Sequence, residues 1–182
     1  MRGRPVRIRK PFFVAVEGES EQSFFKWVQT LADDESLHVH LDVVVLGGGG
    51  LQKMLKEATR QRVRRAAAKR YVASYLVVDS DRSGQGDCSI HELRIHSAKQ
   101  KLELVCQLPN HEGLLVRLFP GREKETLDAT SASARLHKLW PTYQKPVNAY
   151  TLARQFKVKD LIRVAKLDED LRNFLMKIGF KL

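Results

Sequence analysis

Four short apolar runs, each followed by a stretch with helical spacing, leave few folds open to this chain. The runs are FFVAV from Phe12 to Val16, HVHLDVVVL from His38, YVASYLVVD from Tyr71 and LELVCQL from Leu102. Their length and β-branched content suit buried strands. Between them, Phe24, Phe25, Val28 and Leu31, and later Leu51, Met54, Leu55 and Ala58, recur at helical spacing. The spacing predicts a helix opening near Ser20, a second from Leu51 to about Lys69, and a third over 90–100. Asn110 is a good N-cap for a helix HEGLLVRLF, which Pro120 and Gly121 end. Later helices are expected over 130–139, 149–156, 160–167 and 170–178. Strand and helix in alternation predict an α/β fold, with a mostly parallel four-stranded sheet flanked by helices and a small helical C-terminal extension. The expected organisation is a basic arm (1–10), an α/β domain (11–120) and the extension (121–182).

In such sheets ligands bind beyond the carboxyl ends of the strands. The distinctive polar residues fall there. Glu17 follows the first run, Gly47 to Gly50 the second, Asp79 and Asp81 the third, and Asn110 to Glu112 the fourth. Asp79 and Asp81 stand two apart, so continued strand geometry would project both from one face. Close carboxylates repel, and a divalent cation relieves that repulsion. Oxygen donors alone suit Mg²⁺ or Mn²⁺ rather than zinc. Glu17 is placed as a third ligand or general acid/base, and Glu21 sits one turn into the helix, able to face the same spot. The competing reading is an Asx-type turn at DSD with Glu17 as a helix cap.

Charge adds a partner class. Thirty-two Lys and Arg against 21 Asp and Glu give +11, a balance that favours polyanions because phosphate contacts release counterions. The best backbone-binding candidates are Arg60, Arg62, Arg64, Arg65, Lys69 and Arg70 on the second helix, with the arm residues Arg2, Arg4, Arg7 and Arg9. A solvated face is the alternative for these cations, and packing is the alternative to base stacking for Trp140, Tyr143 and Tyr150. Cys88 and Cys106 form no paired-Cys motif, which argues against a disulfide framework or a Cys-based zinc site. His38 and His40 are read as alternating on a strand, and Tyr75 as core. His111 is read as structural. The glycine run lacks the Gly-Lys-Ser/Thr ending of a P-loop and reads as a turn. No apolar run is long enough for a membrane span, and Phe12–Val16 is too short for an export signal, so a cytoplasmic protein is expected.

The segment FFVAVEGESEQSFF, followed much later by LVVDSD, resembles the TOPRIM domain of topoisomerases, bacterial primases, OLD-family nucleases and several phage-defence nucleases. EGESE is closer to the EG-x-x-E/D version of the nuclease members. The glycines at 47–50 and the segment PNHEGLLVRL are similar to the RloB-like branch, where a motif with a glutamate opens the helix after the fourth strand. His111 departs from the small or cysteine residues usual there, and the aromatic beside the glutamate is missing. The resemblance covers about residues 11–120. It implies a Rossmann-like TOPRIM fold and metal-dependent cleavage or transfer of nucleic-acid strands. Glu17 would be acid/base or ligand, Asp79 and Asp81 would hold Mg²⁺ or Mn²⁺, and Glu112 would support a second metal. Three functions follow as expectations. The first is a Mg/Mn-dependent endonuclease on DNA or RNA, serving in defence against phages or plasmids. The second is a non-catalytic nucleic-acid-binding or regulatory subunit. The third is a subunit switched by a partner ATPase, since the chain carries no nucleotide-hydrolysis motif.

Overall fold

A computed structural model describes residues 8–82 and 88–182. The arm residues Arg2, Arg4 and Arg7, and Ser83 in the loop after Asp81, lie outside the described residues. The strands are β1 (Lys10–Val16), β2 (Val39–Val45), β3 (Ala73–Asp79) and β4 (Glu103–Gln107). They form one sheet in the order β2-β1-β3-β4, every neighbouring pair parallel. The helices linking them are α1 (Glu19–Asp34), α2 (Leu51–Ala66) and α3 (Ile90–Lys99). After β4 come α4 (His111–Arg117), α5 (Ala129–Leu139), α6 (Ala149–Gln155), α7 (Val158–Ala165) and α8 (Glu169–Ile178).

Alternation along the strands builds three layers. Phe12, Val14 and Val16 of β1, with Tyr75 and Val77 of β3, pack with α1 and the helices after β4. Phe13 and Ala15, with Leu76 and Val78, pack with α2 and α3 on the other face. Successive side chains point to opposite faces, so a strand buried on both sides must be apolar throughout. FFVAV satisfies that, each residue being at most 1% exposed. The last helices share the first layer's core: the Phe174 ring meets Tyr75 at 4.9 Å and Phe25 at 5.3 Å, both edge-on. A buried ion pair of 2.8 Å, Arg117 to Asp168, joins α4 to the start of α8.

Side chains from the helices occupy both sheet edges. On β2, Leu41 N donates to Gln29 Oε1 at 2.7 Å, while Gln29 Nε2 donates to Val39 O at 3.2 Å. The amide thus takes the positions a neighbouring strand's backbone would fill. On β4, Cys106 N donates to Asp170 Oδ2 at 3.0 Å, and Arg94 holds the same carboxylate through two hydrogen bonds.

Two expectations need correction. β3 ends at Asp79 and a 3₁₀ turn covers Ser80–Arg82, so strand alternation does not bring Asp79 and Asp81 to one face. Backbone and side-chain bonds to the turn after β4 start the bend: Asp81 N and Ser80 Oγ each donate to Pro109 O at 3.0 Å. His38 precedes β2 with a left-handed φ of 51°, so it does not alternate with His40 on the strand.

The strand order reverses between β1 and β3. From β1 the chain crosses to β2 on one side, and from β3 it crosses to β4 on the other. The carboxyl ends of these two central strands open the crevice where doubly wound sheets take ligands. Glu17 and Asp79 stand at those ends.

Candidate metal centre

Each acidic side chain reaches the crevice for a local reason. Glu17 is the first residue beyond β1, and the loop after β2 wraps beside it. Gly47 N donates to Glu17 O at 3.2 Å, and Gly48 adopts φ 75° so near that a Cβ there would lie 3.7 Å from Glu17 Oε1. Glycine adopts that backbone conformation without the penalty other residues meet. Glu21 opens α1 and turns back, its Oε2 accepting from Gly18 N at 3.1 Å. That bond satisfies one of the orphan donors at the helix start and holds the Glu21 charge within reach of Asp79.

Glu112 is fixed by the helix start that carries it. Asn110 Oδ1 accepts from Gly113 N at 3.1 Å, capping α4. A Cβ at Gly113 would collide with Pro109 Cδ and lie 2.6 Å from Leu108 O, so only glycine allows the helix to seat this tightly on the turn. Asn110 also reaches across, Nδ2 donating to Asp81 Oδ2 at 3.4 Å.

Asp79 is the electrostatic centre. Burial pushes its pKa up, and the negative charges of Glu21, Asp81, Glu17 and Glu112 push it further, to about 8. The five carboxylates named from sequence therefore gather within mutual influence at one sheet edge. As the side chains stand, no three His, Cys, Asp or Glu groups among the described residues are arranged to hold a metal ion. The five carboxylates form one acidic cluster. Its donors are oxygens from strand ends and helix starts, and at Asp79 burial and the surrounding negative charges favour the neutral acid. That donor set fits a hard divalent cation, whose charge would release the proton.

Three residues absent from the predicted ligand set complete the cluster. Lys145, from the segment between α5 and α6, forms an ion pair with the buried Glu112. Tyr143 is buried beside Glu112 and Glu21, and burial with those charges raises its pKa, keeping the hydroxyl protonated. His111 is fully buried; burial lowers its pKa more than Glu21 and Glu112 raise it, so the imidazole is neutral. Its Nδ1 lies 3.3 Å from Gln107 Nε2, and its Nε2 meets no hydrogen-bond partner among the described residues. Placed directly before Glu112 it had a positional signal; Lys145 and Tyr143, about 30 residues further on, had none.

The basic half of α2 lies elsewhere. The helix starts at the carboxyl edge after β2 and must end at the amino edge to feed β3, a run of about 24 Å at 1.5 Å per residue. Arg60 is held by Glu57 at 2.7 Å, and Arg64 donates to Gln61 at 3.1 Å. Arg65 and Lys69 both bind Asp42 of β2, at 2.9 and 3.0 Å, and Arg62 donates to Ser74 at 3.1 Å. Arg64 and Arg70 are exposed; Lys69 and Arg70 lie beyond α2, which ends at Ala66 and not near Lys69 as its spacing predicts. A cleft of about 610 Å³ at that same edge is lined by Arg62, Arg94 and Lys101. Arg9 pairs with Asp33 at 3.0 Å. Trp140 is buried with Tyr143, whereas Tyr150 is exposed with Arg154 over its ring.

Both cysteines are free thiols, and no helix of the described residues is long and apolar enough to cross a membrane. No protein-family model, curated protein or solved structure matches the chain at a significant level.

Proposed function

We propose that this chain is a Mg²⁺- or Mn²⁺-dependent nuclease that cleaves phosphodiester bonds of DNA or RNA, as its resemblance to TOPRIM and RloB-like nucleases implies. The observation that carries the reading is the gathering of Glu17, Glu21, Asp79, Asp81 and Glu112 at the carboxyl ends of the two central strands, where burial and the neighbouring negative charges push the pKa of Asp79 up to about 8. Perturbed acids cluster at functional sites, and doubly wound sheets take ligands at strand switch points.

Asp79, Asp81 and Glu17 would hold the cation. Bound there, it would supply Lewis-acid stabilisation to the charge gathering on a phosphoryl group. The chain's own groups do the rest. Glu17, beside the glycine loop, would accept a proton from attacking water. In the loop from Gly47 to Gly50, Gly47 faces open space, while Gly48 lies against Glu17 Oε1 and Gly49 against the Lys53 side chain. The Tyr143 hydroxyl, protonated throughout the working pH range, is a neutral donor able to share hydrogen bonds with an acidic site without adding charge. Action in the cytoplasm, defence against phages or plasmids and activation by a partner ATPase belong to the same reading and rest on the resemblance.

A second reading, a nucleic-acid-binding or regulatory subunit without chemistry, is favoured by one observation: exposed cations of α2 stand at the edge opposite the carboxylates. Cleavage of single- and double-stranded DNA and RNA with Mg²⁺ or Mn²⁺ separates the two. Glu17→Gln should lower metal-dependent cleavage by about 10³-fold with an unchanged melting temperature. Retained cleavage in that variant would remove Glu17 from the mechanism.

A further inference from the structure

We infer that the cleft at the amino edge of the sheet binds a phosphate monoester, a small organic body carrying a dianionic phosphate. The inference is independent of the proposed metal chemistry, which belongs to the opposite edge.

The cleft encloses about 610 Å³, a volume that suits a small organic ligand. It lies where the chain enters β3 and β4, with α3 and α8 walling it from the two faces of the sheet. Its cations are Arg62, Arg94 and Lys101, and its acids are Glu103 and Asp170. Arg94 and Asp170 answer each other through two hydrogen bonds. Arg62 and Lys101 pair with no carboxylate among the described residues, so two free cations stand against Glu103 alone.

Arg62 differs from its neighbours on α2. Arg60 and Arg65 are held by the carboxylates of Glu57 and Asp42, whereas Arg62 Nε donates to Ser74 Oγ at 3.1 Å, on a serine only 4% exposed. A guanidinium fixed through Nε keeps its two terminal nitrogens as a fork of set orientation, the geometry that grips a phosphate through two oxygens. Lys101 stands where the chain turns from α3 into β4, with a left-handed φ of 57°. Glycine or asparagine usually takes that conformation after a helix. A lysine bears the conformational cost there and sets an ammonium on the cleft wall.

Tyr75 supplies the third element. It lines the cleft, is 1% exposed, and its hydroxyl meets no hydrogen-bond partner among the described residues. A buried phenol without a partner costs stability that phenylalanine at the same place would avoid. A ligand oxygen in the cleft would complete it. Leu102, Leu104 and Phe174 add apolar wall for the organic body. Two free cations match a phosphate monoester, which carries about −1.5 to −2 at pH 7; a carboxylate would leave one of them unanswered.

The test is calorimetric titration of the full chain with phenyl phosphate in EDTA, which keeps metal from the acidic cluster. One phenyl phosphate should bind per chain, at least about tenfold more tightly than benzoate, which has the ring and a single charge, or inorganic phosphate, which has no ring. Arg62→Gln should weaken binding at least about tenfold, while Arg64→Gln, outside the cleft on the same helix, should stay within about twofold. Tyr75→Phe should weaken it about threefold or more with a melting temperature no lower than wild type. A hydroxyl with only a structural role would leave affinity unchanged. Absent binding, equal affinity for either comparison anion, or equal losses in Arg62→Gln and Arg64→Gln would overturn the inference, the last by reducing it to diffuse surface charge. Should Arg62→Gln fail to fold, Lys101→Gln and Tyr75→Phe decide, and unchanged affinity in both would sink the idea.

Discussion

Asp42 and Asp79 are carried by strands of one sheet, and their surroundings drive them in opposite directions. Burial alone would raise the pKa of Asp42, but hydrogen bonds from Tyr71 and Lys69 and the charge of Arg65 outweigh it and hold the carboxylate below its usual range. Tyr71 donates its hydroxyl at 2.6 Å. Burial of Asp79 is reinforced rather than opposed, by four more carboxylates. The difference separates a carboxylate that holds the fold from one that, on the proposed reading, binds a cation. Asp42 ties α2 and the chain leading to β3 onto β2; Asp79 spends stability to keep a charge deficit at the crevice.

The comparison breaks most visibly at Asp42. Asp42→Asn should lower the free energy of unfolding by about 3 kcal/mol in a denaturant titration, since Arg65, Lys69 and Tyr71 lose a shared ionic partner. The partial exposure of both cations keeps the loss from being larger. Asp79→Asn should do the reverse without metal, raising stability at pH 9 by about 1–2 kcal/mol by removing a buried charge from like charges. Stabilisation by Asp42→Asn, or destabilisation by Asp79→Asn, would erase the distinction.

Titration sharpens it. Asp79 has a folded pKa of about 8 against an ordinary 3.8, so between those values the folded state binds more protons than the unfolded. Stability contributed by that proton is fully present below about pH 4 and is lost as pH rises through 8. The metal-free melting temperature should therefore carry a component that falls by a few degrees from pH 5 to 9, and Asp79→Asn should flatten it. Asp42 runs the other way: its contribution is present above pH 4 and is lost as pH falls through its lowered pKa. On the proposed reading, Mn²⁺ should bind more tightly at pH 8 than at pH 6, by up to about tenfold per unit, because the ion would displace the Asp79 proton.

The smallest effect belongs to the exposed cations. Arg64→Gln should change stability by less than about 0.5 kcal/mol yet lower the salt dependence of nucleic-acid binding by about one counterion. An unchanged slope in filter binding would return Arg64 to the solvated face.

The sheet was legible because β1 and β3 are buried on both faces and must be apolar throughout, and the carboxylates were legible because they follow strand ends. What stayed hidden was pairing at long range. The basic half of α2 reads as free charge until Asp42, 23 residues before Arg65, folds against it; a lone aspartate inside HVHLDVVVL was the available signal. Lys145 and Tyr143 reach the site through the packing of later helices, which no local spacing encodes. The DSD segment misled in detail, since a strand was extended through a turn that the loop after β4 bends away.

Gln29 and Asp170, seated on the outer backbones of β2 and β4, also decide how copies of this molecule can meet. A strand from a second molecule seeking to lengthen the sheet would have to evict an amide from one border or a carboxylate already clasped by Arg94 from the other. Neither guard leaves unless its helix loosens, so growth of the sheet into ribbons is blocked at these points while the helices stay docked. Association between copies is thereby directed to helix surfaces, and partial unfolding of α1 or α8 becomes the step at which a stray strand would gain its first foothold.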